Sequence, residues 1–206
     1  MRIAILGGTG VFGRALAARL HALGEDVVLG SRDANRVLEI ATVLGVLGAT
    51  NQEAVEGADL IILSVPSSAA LNTARELADA IGDTPVLCVA SDLRFTEKGV
   101  EPGRESRSLA EDVAEILSGP VVSGYQSLGA ASLLGPDTPD QDVFVCGDES
   151  PAKDIALDVG ARLVGGHAID AGPLANSRAL EAMTAVLLNV NKRYRTHAGL
   201  RVTGLP

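Results

Sequence analysis

Gly8, Gly10 and Gly13 fall at the G-x-G-x-x-G spacing within RIAILGGTGVFGR, residues 2–14. The chemistry such a triplet serves is the binding of a dinucleotide pyrophosphate. Gly8 allows a tight turn, Gly10 lets the main chain approach the phosphates, and Gly13 lets the following helix close on the strand. The free amides and the positive dipole end of that helix then hold the negative charge. A second set lies about twenty residues downstream, where an NAD site carries an acid for the ribose hydroxyls. Here the apolar run Val27–Leu29 ends instead in Gly30-Ser31-Arg32. Ser31 can donate to a phosphate oxygen, and Arg32 presents a planar fork of donors suited to phosphate. Arg36, one helical turn later, adds a second cation, and Thr9 in the glycine loop adds a hydroxyl. The set predicts a pocket for a 2′-phosphate, hence NADP(H) rather than NAD. The competing structural account is that Ser31 or Asp33 caps the next helix and leaves Arg32 in solvent.

No side chain is singled out as catalytic. The chain offers no Ser-His-Asp set or paired carboxylates, and neither Tyr125 nor Tyr194 has a Lys four residues on. His21, His167 and His197 are scattered, so no metal-ligand set is expected. Cys88 and Cys146 sit in the apolar runs LCVA and FVCG and read as buried, reduced thiols. The net charge of −9 argues against a nucleic-acid partner. An apolar content of 47% with 21% charged residues fits a soluble globular protein. No apolar run approaches the ~18 residues of a membrane span. The N-terminus enters the first strand directly, so a cytoplasmic location is expected.

The elements that must position these residues alternate along the chain. After the first strand, Arg14–Leu23 carries a helical apolar face of Leu16, Leu20 and Leu23. Asp59–Val65 reads as a buried strand ending at Pro66, with a helix from Ser67 through Ile81, and Val86–Ala90 as the next strand. Ser106–Leu117 and Ser150–Leu163 read as helices; Val121–Val122, Asp142–Gly147 and Ala168–Asp170 read as strands. The Gly/Pro-rich stretches 99–103 and 135–140 read as loops. This βαβα order implies an α/β fold of Rossmann type: a doubly wound, mostly parallel sheet with helices on both faces. Ligands of such sheets lie beyond the carboxyl ends of the strands, where Thr9, Ser31, Val65, Pro66 and Ser91 should gather.

Residues 1–170 are expected to form the NADP-binding domain, and residues 171–206 a small C-terminal helical appendage. Gly172-Pro173 breaks the chain, and Asn176 or Ser177 should cap a helix running to about Arg193. Leu180, Met183, Leu187 and Val190 form one stripe, widened by Val186 and Leu188, as in a helix buried in a core or between subunits. From Ala182 to the end there is no acid, while Lys192, Arg193, Arg195 and Arg201 are basic. That reversal of sign either offsets the helix dipole or offers a landing place for an anionic substrate.

With RIAILGGTGVFGRALAARL, VVLGSR, DAGPLANSR and the tail VNKRYRTHAGLRV in hand, the chain resembles the NADPH-dependent coenzyme F-420 reductase family from end to end. The resemblance implies direct hydride transfer between nicotinamide C4 and C5 of a stacked deazaflavin. It implies that Thr9, Gly10, Val11, Phe12, Ser31, Arg32 and Arg36 hold NADP, and that Val65, Ser91 and Ala130 lie near the two reacting rings. It also implies a homodimer whose C-terminal region helps build the deazaflavin site. Three positions depart from the family pattern: Gln126 where members often carry His, Ser91-Asp92 where Asn-Pro or Val-Pro is common, and Ser67 in place of Trp. All three fall on the acceptor side. Another acceptor, such as a flavin or an imine, and a non-enzymatic NADPH-sensing module are the alternative readings.

Overall fold

Ile3 and Ile5 face one side of the first strand and Ala4 and Leu6 the other, and all four are fully buried. A strand apolar on both faces needs cover on both, which a parallel sheet flanked by helices provides. The computed structural model describes residues 1–205. The first half runs β1 (Arg2–Leu6), α1 (Val11–Ala22), β2 (Asp26–Ser31), α2 (Ala34–Leu44), β3 (Leu47–Thr50), α3 (Asn51–Ala54), β4 (Leu60–Leu63) and α4 (Ser67–Ile81). The second runs β5 (Val86–Cys88), β6 (Leu93–Thr96), β7 (Gly99–Pro102), α5 (Leu109–Ala114), β8 (Val121–Gly124), α6 (Ala130–Leu134), β9 (Val143–Gly147), α7 (Ser150–Leu163), β10 (Ala168–Asp170) and α8 (Ser177–Tyr194).

Eight strands form one sheet in the order β10-β9-β8-β5-β4-β1-β2-β3. From β3 to β8 every pairing is parallel, and β9 alone runs against its neighbour β8. The Rossmann-type, mostly parallel fold is therefore present. Strand order reverses between β1 and β4, the switch point at which such sheets open a ligand crevice. One core layer joins β-strand residues to Leu16, Leu20, Val159 and Leu163 of α1 and α7. The other joins them to Ala70, Ala74, Leu77, Leu109 and Val113 of α4 and α5.

Several elements differ from the sequence reading. β3 lies at the sheet edge with exposed or half-buried residues, so no apolar run announces it. α3 is a single turn set by a capping box, with Thr50 Oγ1 accepting from the Glu53 amide and the Glu53 carboxylate accepting from the Thr50 amide. A second capping box, between Ser108 and Glu111, starts α5 at Leu109 and shortens the helix expected over 106–117. The stretch 99–103, expected as loop, supplies β7, which pairs antiparallel with β6 in a separate hairpin. Asn189 of α8 holds that hairpin by accepting from the Val100 amide at 3.0 Å and donating to its carbonyl at 2.7 Å.

α8 begins through a 3-10 turn, Leu174–Asn176, and neither expected residue caps it with its side chain. Asn176 Nδ2 donates to the Ala171 carbonyl, and Ser177 Oγ to the Leu174 carbonyl. Leu180, Glu181, Ala185 and Leu187 are buried against the same chain, whereas Val186 is 61% exposed. Beyond the helix the tail folds back. The Asp142 amide donates to the Leu200 carbonyl at 2.7 Å, and Asp142 Oδ2 accepts from the Val202 amide at 2.6 Å. Among the described residues no helix is long and apolar enough to cross a membrane.

Candidate functional site

The turn after β1 decides what the carboxyl edge of the sheet can hold. Gly7, not Gly8, adopts the left-handed conformation, at φ 81°, and a Cβ there would stand 2.7 Å from the Ser64 carbonyl oxygen. Gly8 is the residue pressed against β2: a Cβ would come within 2.5 Å of Leu29 Cδ2. A Cβ on Gly13 would meet the Gly7 carbonyl oxygen at 2.9 Å, so this glycine lets α1 start close above the turn. Gly10 is the N-cap of α1. It offers no side-chain acceptor, and the first turn contains no acid. The opening amides of α1 are thus left without a side-chain partner, a ready position for an anion.

These amides face a cavity of about 620 Å³. Thr9, Gly10, Val11 and Phe12 line it from the glycine loop, and Ser31, Arg32 and Arg36 from the exit of β2. Val65 and Pro66 line it from the exit of β4, and Ser91 from that of β5. Gly8 and Gly13 lie beneath the wall as packing positions, and Ala130, at the start of α6, packs on the core beside α1 without lining the cavity. Asp33 caps α2 by accepting from the Arg36 amide at 3.0 Å, and Ser31 Oγ accepts from the Asp33 amide at 3.1 Å. The capping account is therefore correct for Asp33, yet both guanidiniums remain exposed at the cavity rim. Neither takes part in an ion pair among the described residues.

The opposite end of the cavity is neutral and hydroxyl-rich. Ser91 Oγ and Thr184 Oγ1 are 2.9 Å apart, and Thr184 also donates to the Gln126 carbonyl at 3.3 Å. That second bond uses the Thr184 hydrogen, which leaves Ser91 to donate to Thr184. Gln126 Nε2 is spent on Ser123 Oγ at 2.8 Å and the Cys88 carbonyl at 3.3 Å, while Oε1 has no partner. Ser67 Oγ lies 3.5 Å from Asp92 Oδ1, outside the lining.

Candidate acids and nucleophiles are inert by environment. Tyr125 is fully buried, its phenol donates to the Ala156 carbonyl at 2.6 Å, and burial pushes its ionisation far up. Burial likewise pushes the Cys88 and Cys146 thiols up to about 12. Such a cavity can bind and orient, while its neighbouring thiols and phenol are held in their unreactive neutral forms.

Residues 2–91 match the family described as NADP oxidoreductase coenzyme F420-dependent. The F420-dependent NADP reductase of Methanothermobacter thermautotrophicus aligns with the whole chain at 34% identity and 96% of its own length. That of Methanocaldococcus jannaschii does so at 35% identity and 99% of its length. The chain belongs to the F420-dependent NADP reductase family. A crystal structure of a putative F420-dependent NADP reductase from Arthrobacter superposes with a TM-score of 0.86 over 98% of this chain and 99% of its own, at 24% identity, which shows the shared fold.

In this member of the F420-dependent NADP reductase family, the sequence reading missed Asn51, Thr73 and Thr184 as cavity residues. Asn51 follows a strand that no pattern announced, and Thr73 and Thr184 are single hydroxyls among several polar residues of amphipathic helices. The basic tail stands apart. Lys192 and Arg193 close the last turn of α8, Arg201 pairs with Asp140 at 2.6 Å, and among the described residues none of the four cations lines the cavity.

Proposed function

We propose that this protein moves a hydride between NADP(H) and the deazaflavin coenzyme F-420. The observation that carries the reading is one cavity with an uncapped helix start and two guanidiniums, unpaired among the described residues, at one end and a neutral hydroxyl-rich wall at the other. The donor set fits a dinucleotide: space above Gly10, where a Cβ would touch only the Gly7 carbonyl oxygen at 3.3 Å, suits a pyrophosphate. Ser31, Arg32, Arg36 and Thr9 would hold the 2′-phosphate. Val65, Pro66 and Ser91 would border the nicotinamide. When bound, the two coenzymes supply the chemistry, a hydride exchanged between nicotinamide C4 and deazaflavin C5. The chain's own residues bind, orient and exclude water.

Residues 171–206 are assigned the acceptor side and a homodimer contact, supported by Thr184 in the cavity wall and the exposed Val186 on α8. A cytoplasmic, small-molecule role is part of the same reading. The test is NADPH oxidation by purified protein with coenzyme F-420, FMN, FAD and simple imines as separate acceptors. Rapid turnover with F-420 and NADPH, and little with NADH, is expected. Turnover confined to flavins or imines would replace the acceptor, and tight NADPH binding with no turnover would favour the sensing module.

A further inference from the structure

Glu181 is a carboxylate in the wrong place for a solvated helix residue. It lies on α8, only 4% exposed, one turn before Thr184. Its Oε1 accepts from the Leu109 amide at 2.8 Å and the Ala110 amide at 3.3 Å, the first residues of α5. The Asp92 amide lies on the same side and also favours the charged form of this carboxyl. One side chain thereby binds the start of α5 and stands against the exit of β5 that carries Ser91. From the outer side, Arg104 ties the same segments together, pairing with Asp92 at 2.9 Å and with Asp112. The groups facing Glu181 are thus the Arg104 cation with its partners Asp92 and Asp112, and the buried thiols of Cys88 and Cys146.

We infer that Glu181 is a positioning residue, whose ionised carboxylate fixes the exit of β5 against α8 and so sets the Ser91–Thr184 pair at the acceptor end of the cavity. The kinetic consequence rests on the hydride-transfer reading; the geometric one does not. Ionised, both carboxyl oxygens are acceptors; protonated, one of them carries a hydrogen and the pull on the surrounding amides weakens. Burial pushes it up to about 7, against the pull of the three amides and of Arg104. A buried acid retained at such a cost suits a role in function rather than in stability.

The test compares the full-length wild type with Glu181→Gln. In the wild type, kcat for NADPH oxidation should fall on the acid side of about pH 7, while the Kd for NADPH stays flat. E181Q should lose that limb and about tenfold or more of kcat at alkaline pH, with NADPH affinity within about twofold of wild type. At one fixed pH, and without added coenzyme, the amides of Asp92, Leu109 and Ala110 should exchange about tenfold faster in E181Q. Wild-type kcat and limb in E181Q, or unchanged exchange at those amides, overturns the inference. Should E181Q not fold, absence of the acid limb from the wild type, or wild-type exchange at those amides in E181D, overturns it. A wild type that binds NADPH but never oxidises it with F-420 sinks the hydride-transfer reading, and the exchange comparison still decides the positioning.

Discussion

Arg32 stands exposed at the rim of the cavity and enters no ion pair among the described residues, so its charge is available to a ligand. Arg32→Ala should weaken NADPH binding by roughly 1.5–3 kcal/mol through lost charged hydrogen bonds, and leave NADH binding unchanged. Paired titrations with both coenzymes check this; equal losses would show that no 2′-phosphate sits there. Gly7→Ala is expected to do more general damage. Its left-handed φ costs about 1–2 kcal/mol with a side chain, and its Cβ would press on the Ser64–Val65 main chain. A lowered melting temperature and weaker binding of both coenzymes are expected. Glu181 carries a stability signature of its own. Its carboxyl is raised by burial, so the folded state favours the protonated form. The stability this contributes is present below the ordinary glutamate range and is lost as pH rises through about 7. Thermal melts should therefore show wild-type stability falling relative to E181Q from acid to alkaline pH, whatever the offset between the two.

At the scale of elements, α8 is a bracket between the β6–β7 hairpin and α5. Asn189 meets both the N–H and the C=O of Val100, and Glu181 meets the first amides of α5. Asn189→Ala leaves one half-buried strand residue without either partner and should cost about 1–3 kcal/mol. Limited proteolysis within 93–102 should accelerate in that variant while α1 and the glycine loop stay protected. This bracket was not legible in the sequence. The 99–103 stretch carries glycine and proline, which read as loop, and the hairpin is fastened by a side chain nearly ninety residues away. By contrast α4, α7 and β10 were legible to the residue, because apolar period and turn residues agreed there.

For the whole molecule, the tail is fastened to the main sheet by Asp142. Burial opposes ionisation of this carboxyl, but the His167 and Val202 amides and the Arg201 guanidinium outweigh it and hold it below the ordinary range. A lowered carboxyl stabilises the fold above its unfolded range and loses that contribution as pH falls from there through its lowered value in the fold. Asp142→Asn should cost about 1–3 kcal/mol near neutrality, with the gap to wild type closing toward acid pH in thermal melts. If the gap were constant with pH, the carboxylate would not be the group that docks residues 198–202. The proposed homodimer belongs to this scale too, and sedimentation of wild type against Val186→Glu tests whether the exposed face of α8 meets a second copy.

The sequence by itself determined the parts that depend on local spacing. A triplet of glycines after an apolar run, a hydroxyl and a guanidinium at the next strand end, and alternating strand and helix periods fix the sheet and the cofactor-side candidates without distant contacts. The tertiary structure decided which glycine takes the left-handed turn: Gly7 does so against the Ser64 main chain, while Gly8 packs on Leu29 of β2. It also decided the far wall of the cavity, where Ser91, Gln126 and Thr184 come from three elements with no shared local signal. Their meeting depends on how α8 lies across the sheet. That is set by buried carboxylate and amide contacts between residues remote in the chain, which no short window of sequence records.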